Sequence, residues 1–211
     1  MIKGNVTVCG TINSSAVEKT SKENEKYLSF SMVVPLQGKD ESVAELIIHV
    51  SVPMDAKMKS KLTNGRHVLV HGVLHVRKHE GTVFYNVRSD EEVELVKTSE
   101  PDSLEGDLEF KGGVGTKGVT EKTSKKGSKY HLFDAWSRDK SGEKDPEYTW
   151  VHFICFQKDF PALTPKNYVH VTGKLDIDVF KGNANINCVA DTVEVVTFED
   201  NKTDGKQADN K

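Results

Sequence analysis

Glu18-Lys19-Thr20-Ser21-Lys22-Glu23-Asn24-Glu25-Lys26-Tyr27 recurs 103 residues later as Glu121-Lys122-Thr123-Ser124-Lys125-Lys126-Gly127-Ser128-Lys129-Tyr130, identical at seven of the ten positions. With the same offset Gly10 falls on Gly113, Phe30 on Phe133 and His49 on His152. Further along, an offset of 101 aligns Val68–Leu74 with Val169–Leu175, so the second copy has lost two residues between these blocks. The period is too long for a solenoid, and the 211-residue chain reads as two copies of one domain of about 100 residues.

Within each copy the periodicity is that of strands. Tyr27–Val33 alternates, with Leu28, Phe30 and Met32 on one face and Tyr27, Ser29 and Ser31 on the other. The first copy offers strands at Val6–Gly10, Tyr27–Val33, Leu46–Val52, His67–Val76 and Thr82–Arg88, with a helix-compatible Met54–Leu62 after the third. The second copy repeats the order with Glu109–Gly115, Lys129–Trp136, Tyr148–Phe156, a short Phe160–Lys166 connection, Tyr168–Ile177 and Ala184–Val195. Strands of this number and length, each with one apolar face, predict an all-β chain of two tandem five-stranded OB-fold barrels, each with a short helix between strands three and four. The expected division is residues 1–97 for the first barrel, 98–107 for an acidic linker, 108–196 for the second barrel and 197–211 for a polar tail that lacks the apolar side chains to fold.

The formal net charge is −3, but it is unevenly spread. Residues 1–90 carry +3 and residues 110–196 carry +2, whereas residues 91–109 carry −7. Both barrels are mildly basic and the acidity sits at their joint, which supports a polyanion partner only weakly. No stretch approaches the roughly 18 apolar residues of a membrane span, so no membrane partner is expected. The N-terminus lacks an apolar signal core, and Cys9, Cys155 and Cys188 lie far apart inside apolar runs. These features point to a reducing cytoplasmic compartment.

Trp150-Val151-His152-Phe153-Ile154-Cys155-Phe156-Gln157-Lys158, followed after a connection by Tyr168-Val169-His170-Val171-Thr172-Gly173-Lys174-Leu175, resembles the third and fourth strands of bacterial and phage single-stranded-DNA-binding proteins. The first copy is similar in Asn64–Leu74 and in Val6–Gly10, with Ile47 where the second has Trp150. Gln157 replaces the family's Gly after Phe, and Phe198–Lys211 lacks the acidic, Phe-terminated tip through which the family recruits partners. The resemblance implies non-specific coating and protection of single-stranded DNA in replication, recombination or repair, without tail-borne recruitment. It also implies a homodimer, since the family assembles four OB-folds and this chain supplies two. RNA-binding OB-folds share the same physics, so single-stranded RNA is a second candidate ligand.

A non-specific single-strand site needs basic groups beside outward aromatics on which bases stack, at about 1–3 kcal/mol per base. Strand parity sends Val151, Phe153 and Cys155 inward and leaves Trp150, His152, Ile154 and Phe156 outward. Tyr130 and Trp136 on the preceding strand, with Lys158 and Phe180, complete the candidate platform of the second copy. The first copy offers Tyr27, Phe84 and Tyr85, flanked by Lys22, Lys26, Arg77, Lys78 and Arg88. The repeated turn adds Lys122, Lys125, Lys126 and Lys129 in the loop between strands one and two, which flanks an OB groove. The alternative reading is a tandem OB scaffold whose faces bind proteins.

Signals of catalysis are weak. Gly113-Val114-Gly115-Thr116-Lys117-Gly118 matches the dinucleotide fingerprint in letters, but a strand and a basic turn follow where a helix is required. His67, His71, His75 and His79 fall four apart, a ligand ladder only on a helix, and the run is a strand. His49 and His152 have no argued nucleophile or acid partner. No enzyme activity, cofactor or metal is expected.

Overall fold

The computed structural model describes residues 1–139 and 146–196. Among the described residues, eleven strands form one continuous sheet that closes twice on itself. The first closure comprises β1 (Ile2–Thr20), β2 (Lys26–Gln37), β3 (Val43–Pro53), β4 (His67–His79) and β5 (Thr82–Arg88). β1 pairs antiparallel with β2 and β4, β2 with β3, and β4 with β5, while the β3–β5 pair is parallel. That ring, 1-2-3-5-4-1, is the OB-fold barrel. A two-residue strand, β6 (Glu94–Leu95), then adds to the start of β4.

The second closure repeats the pattern with β7 (Ser103–Thr123), β8 (Lys129–Asp139), β9 (Glu147–Cys155), β10 (Tyr168–Phe180) and β11 (Asn183–Val196). Its antiparallel pairs are β7–β8, β8–β9, β10–β7 and β10–β11, and its parallel pair is β9–β11. The fold is therefore two tandem OB barrels.

Alternation places the cores. Leu28, Phe30, Met32 and Val34 of β2 are buried, as are Val151, Phe153 and Cys155 of β9. Phe153 packs between Phe133, stacked at 4.8 Å, and Phe110, edge-on at 5.1 Å. Each such side chain contributes about 1.5–3 kcal/mol by leaving water.

Between β3 and β4 lies α1 (Ala56–Lys61), capped by Asp55, whose carboxylate accepts from the N–H groups of Lys57 and Met58. The expected second helix is absent: Phe160–Lys166 is irregular among the described residues. Pro161 and Pro165 each remove a backbone donor from this short span, and Asn167 Oδ1 accepts from the N–H and hydroxyl of Thr164 instead. Phe160 still plugs the barrel side, stacked on His131 at 4.1 Å.

The joint also departs from expectation. Ser103–Asp107, read as linker, is the first part of β7 and pairs with β1. The acidic side chains alternate with Leu104, Gly106 and Leu108, so one face of this segment is free to pack, and Leu108 is buried. The β1–β7 register is itself two-fold. Ile2 opposes Phe110 and Thr7 opposes Glu105, and shifting by the repeat offset of 103 converts one pair into the other.

A second reciprocal contact holds the barrels together. The β4–β5 hairpin turns at Glu80-Gly81 and the β10–β11 hairpin at Lys181-Gly182, all four with φ between 51° and 78°, the left-handed geometry of a type I′ turn. The Glu80 and Gly81 N–H groups donate to Glu147 at 2.7 and 2.6 Å, and the Lys78 N–H donates to Asp139 Oδ2 at 2.7 Å. In the opposite sense the Lys181 N–H donates to Asp40 Oδ2 at 3.0 Å. Each barrel thus grips the other's hairpin tip with carboxylates next to its own second and third strands. Residues 197–211, expected as a polar tail, lie outside the described residues.

Candidate nucleic-acid interface

The outward face of β8 and β9 is a ladder of directly opposed side chains. Trp136 opposes Trp150, Asp134 opposes His152 and Leu132 opposes Ile154. Beyond them Tyr130 meets Phe156 with ring centroids 5.5 Å apart, and at the other end Tyr148 stands edge-on to Trp136 at 5.1 Å. Trp150, Phe156 and Tyr148 are 47%, 54% and 39% exposed. The second barrel therefore brings Tyr130, Trp136, Trp150, His152 and Phe156 onto one surface, together with Tyr148, which sequence reading left out of the candidate set.

Two glycines seat the indoles. A Cβ on Gly113 would come within 2.6 Å of Trp136 Cε2, and one on Gly115 within 3.0 Å of Trp150 Cζ3. Each ring lies against bare β7 backbone, with its edges held while part of its surface stays open. The letters that mimic a dinucleotide fingerprint have this packing role: Gly113 pairs directly with Trp136, and Gly115 lies against the Trp150 ring.

The lysines divide into two groups. Lys129 Nζ lies 2.8 Å from Glu121 and Lys26 Nζ lies 2.8 Å from Glu18, the same pair in both copies. The hydrogen bond from its lysine holds each glutamate below the usual carboxylate range and raises the lysine in turn. Lys26 and Lys129 thus brace the hairpin and are partly neutralised. Lys22, Lys122, Lys125 and Lys126 stand exposed near the turn, and Lys158 is exposed beyond Phe156.

The first barrel differs rung by rung. Val33 opposes Ile47, Ser31 opposes His49, Ser29 opposes Ser51 and Tyr27 opposes Pro53. Phe84 is half-buried near His49, with ring centroids 5.9 Å apart. Tyr27 and Arg88 border a cavity of about 570 Å³ together with His75 and Asn86. Exposed Arg88 is 3.6 Å from Asp90, and Arg77 is exposed on β4.

Three candidates fall elsewhere. Tyr85 is only 5% exposed and belongs to the core, because adjacent strand residues point to opposite faces and Tyr85 shares parity with buried Val87. Lys78 is half-buried, with its backbone fixed to Asp139 at the seam between barrels. Phe180 is exposed, but it sits at the β10–β11 tip under the ammonium of Lys181, 5.2 Å from the ring centroid, and that tip is held by Asp40 of the first barrel. His67 is also buried, within 3.3 Å of Cys9 Sγ and 3.1 Å of the Glu100 carbonyl, so it ties the acidic joint to β4.

No family model and no curated protein matches this sequence. Among solved structures it is similar to the wild-type single-stranded DNA binding protein from Thermus aquaticus, at 16% identity over 92% of this chain and 93% of that one, with a TM-score of 0.47. A mitochondrial single-stranded DNA binding protein from S. cerevisiae aligns over 43% of this chain and 93% of its own, at 14% identity and a TM-score of 0.34. The Plasmodium falciparum protein in complex with single-stranded DNA aligns over 46% and 96%, at 18% identity and a TM-score of 0.32.

Proposed function

We propose that this chain binds single-stranded DNA without catalysis, coating it with little sequence preference during replication, recombination or repair. The observation that carries the reading is the Trp136–Trp150 rung, seated on Gly113 and Gly115 and continued by Tyr148, Tyr130 and Phe156. Exposed aromatic faces on a rigid sheet are costly in water and are what unpaired bases stack on. Duplex DNA hides those base faces, so stacking favours the single strand. The exposed lysines of the β7–β8 hairpin and Lys158 border the same surface and would neutralise phosphates. Single-stranded RNA offers the same base faces and phosphates and is a weaker candidate ligand. A homodimer, placing four barrels together, is the assembly we propose for coating longer strands.

The test is a titration of intrinsic Trp fluorescence with oligo-dT at two salt concentrations. Stacking on Trp136 and Trp150 quenches the emission, and the affinity falls with salt. An unresponsive emission with no binding would favour the protein-scaffold reading.

A further inference from the structure

Beside Trp150 the sheet opens into a cavity of about 270 Å³, whose walls are the Gly115–Gly118 segment, Trp150, Asp134 and His152. Its origin is a bulge. Val114 pairs with Ala135 and Val119 with Phe133, so five steps along β7 face two along β8. The extra residues drop out of the ladder, with Gly118 at φ 68°, and line the cavity together with the indole. The first barrel has a narrower bulge, where five steps from Ile12 to Val17 face three on β2.

The polar wall of this cavity is chemically one-sided. His152 Nδ1 is 2.6 Å from Asp134 Oδ1. A carboxylate only accepts hydrogen bonds, so Nδ1 carries the proton, and in the neutral ring Nε2 is left as an acceptor. Asp134 Oδ2 makes no hydrogen bond among the described residues. Two acceptors, Oδ2 and Nε2, therefore lie on one rung beside an indole that holds a base by stacking. Lys117, on the bulge, also lines the cavity, and its ammonium can only donate.

We propose that this cavity is a nucleobase pocket that prefers bases carrying an exocyclic amino group over thymine; the inference rests on the single-strand reading above. Cytosine, adenine and guanine each present an exocyclic amino group, whose two hydrogens match the two acceptors, next to a ring or carbonyl acceptor for Lys117. Thymine carries a single N–H between two carbonyls, so it can serve only one of the two acceptors and turns a carbonyl toward the other. The first barrel has no counterpart: Ser31 replaces Asp134, and its hydroxyl is committed to Asn13 Oδ1 at 2.7 Å. The pocket adds one position of preference to an otherwise sequence-tolerant surface.

The experiment compares oligo-dC and oligo-dT of eight nucleotides, about one OB-fold's footprint, on the full chain by Trp quenching. The expected result is dC bound about fivefold or more tighter than dT, the low end of what one base-edge contact contributes. Asp134→Asn supplies an N–H₂ that serves thymine, and Asp134→Ser copies the first barrel. In both the ratio should fall to about one, whatever the lost charge does to overall affinity. Equal tight binding of dC and dT by the unaltered chain overturns the inference and leaves the single-strand reading standing, as does a dC preference that survives in both variants. Failure to bind either oligomer sinks both.

Discussion

Trp136 lies against Gly113 so closely that a Cβ there would intrude to 2.6 Å from its Cε2. The obstacle is a rigid ring wedged by Tyr148, so a methyl group at 113 must displace the indole or the strand. We expect Gly113→Ala to cost about 1–3 kcal/mol of stability by overpacking and to weaken oligo-dT binding, because the tilted ring no longer lies in the platform. Thermal melting and fluorescence titration check the two effects. If neither moves, Gly113 does not seat Trp136.

Trp150 and Ile47 occupy the same rung in the two barrels, opposite Trp136 and Val33. Both are about half exposed. Trp150→Ala should weaken oligo-dT binding by about 1–3 kcal/mol, the worth of one stacked base, with little change in melting temperature. Ile47→Ala should change affinity by no more than about 0.5 kcal/mol, as surface substitutions usually do. Equal losses would mean that the strand runs over both barrels alike.

Charge should divide along the ion pairs. A single strand loses affinity with a slope of roughly −0.7 in log salt for each phosphate neutralised. Lys125→Ala removes an exposed lysine and should flatten that slope by about 0.7 if it meets one phosphate. Lys129→Ala should flatten it less, since its ammonium is held 2.8 Å from Glu121. A larger effect at Lys129 would show that the pair opens for the nucleic acid.

Most of the barrel architecture was legible because period-two alternation and the internal repeat are properties of the backbone's own geometry. Leu28, Phe30 and Met32 alternate in the letters and are buried in the fold. What was not legible depends on long-range packing. Phe160–Lys166 has helical length, but its two prolines and the Phe160 plug decide otherwise. Asp107 reads as linker by charge, yet it belongs to β7, which pairs with β1 at the far end of the first copy. At the candidate site, parity along a single strand places Trp150 correctly, whereas Phe84 and Tyr85 are neighbours and only register with β3 and β4 tells which one faces out. The Asp134–His152 rung is invisible without the β8–β9 register.

Tyr85 carries the remaining prediction, because its removal from the site rests on its place in the core. Burial pushes its phenol up from the ordinary 10.0 to about 12. The unfolded chain sheds the proton from about pH 10, and the folded chain holds it until about pH 12. The associated stability is therefore full below pH 10 and is lost as the pH climbs toward 12, by on the order of 2–3 kcal/mol for a two-unit shift. Cys188 acts in the same sense from its ordinary 9.0, also pushed to about 12 by burial. Urea midpoints should hold steady to about pH 8.5 and then decline. Tyr85→Phe should decline less between pH 10 and 11, keeping the part due to Cys188 and to Cys9, Cys155 and Tyr168, which burial also raises, while its oligo-dT affinity at neutral pH stays that of the unaltered chain. If Tyr85→Phe declines in parallel with the unaltered chain and also loses affinity, the phenol faces outward and belongs with Tyr27 in the first barrel's binding surface.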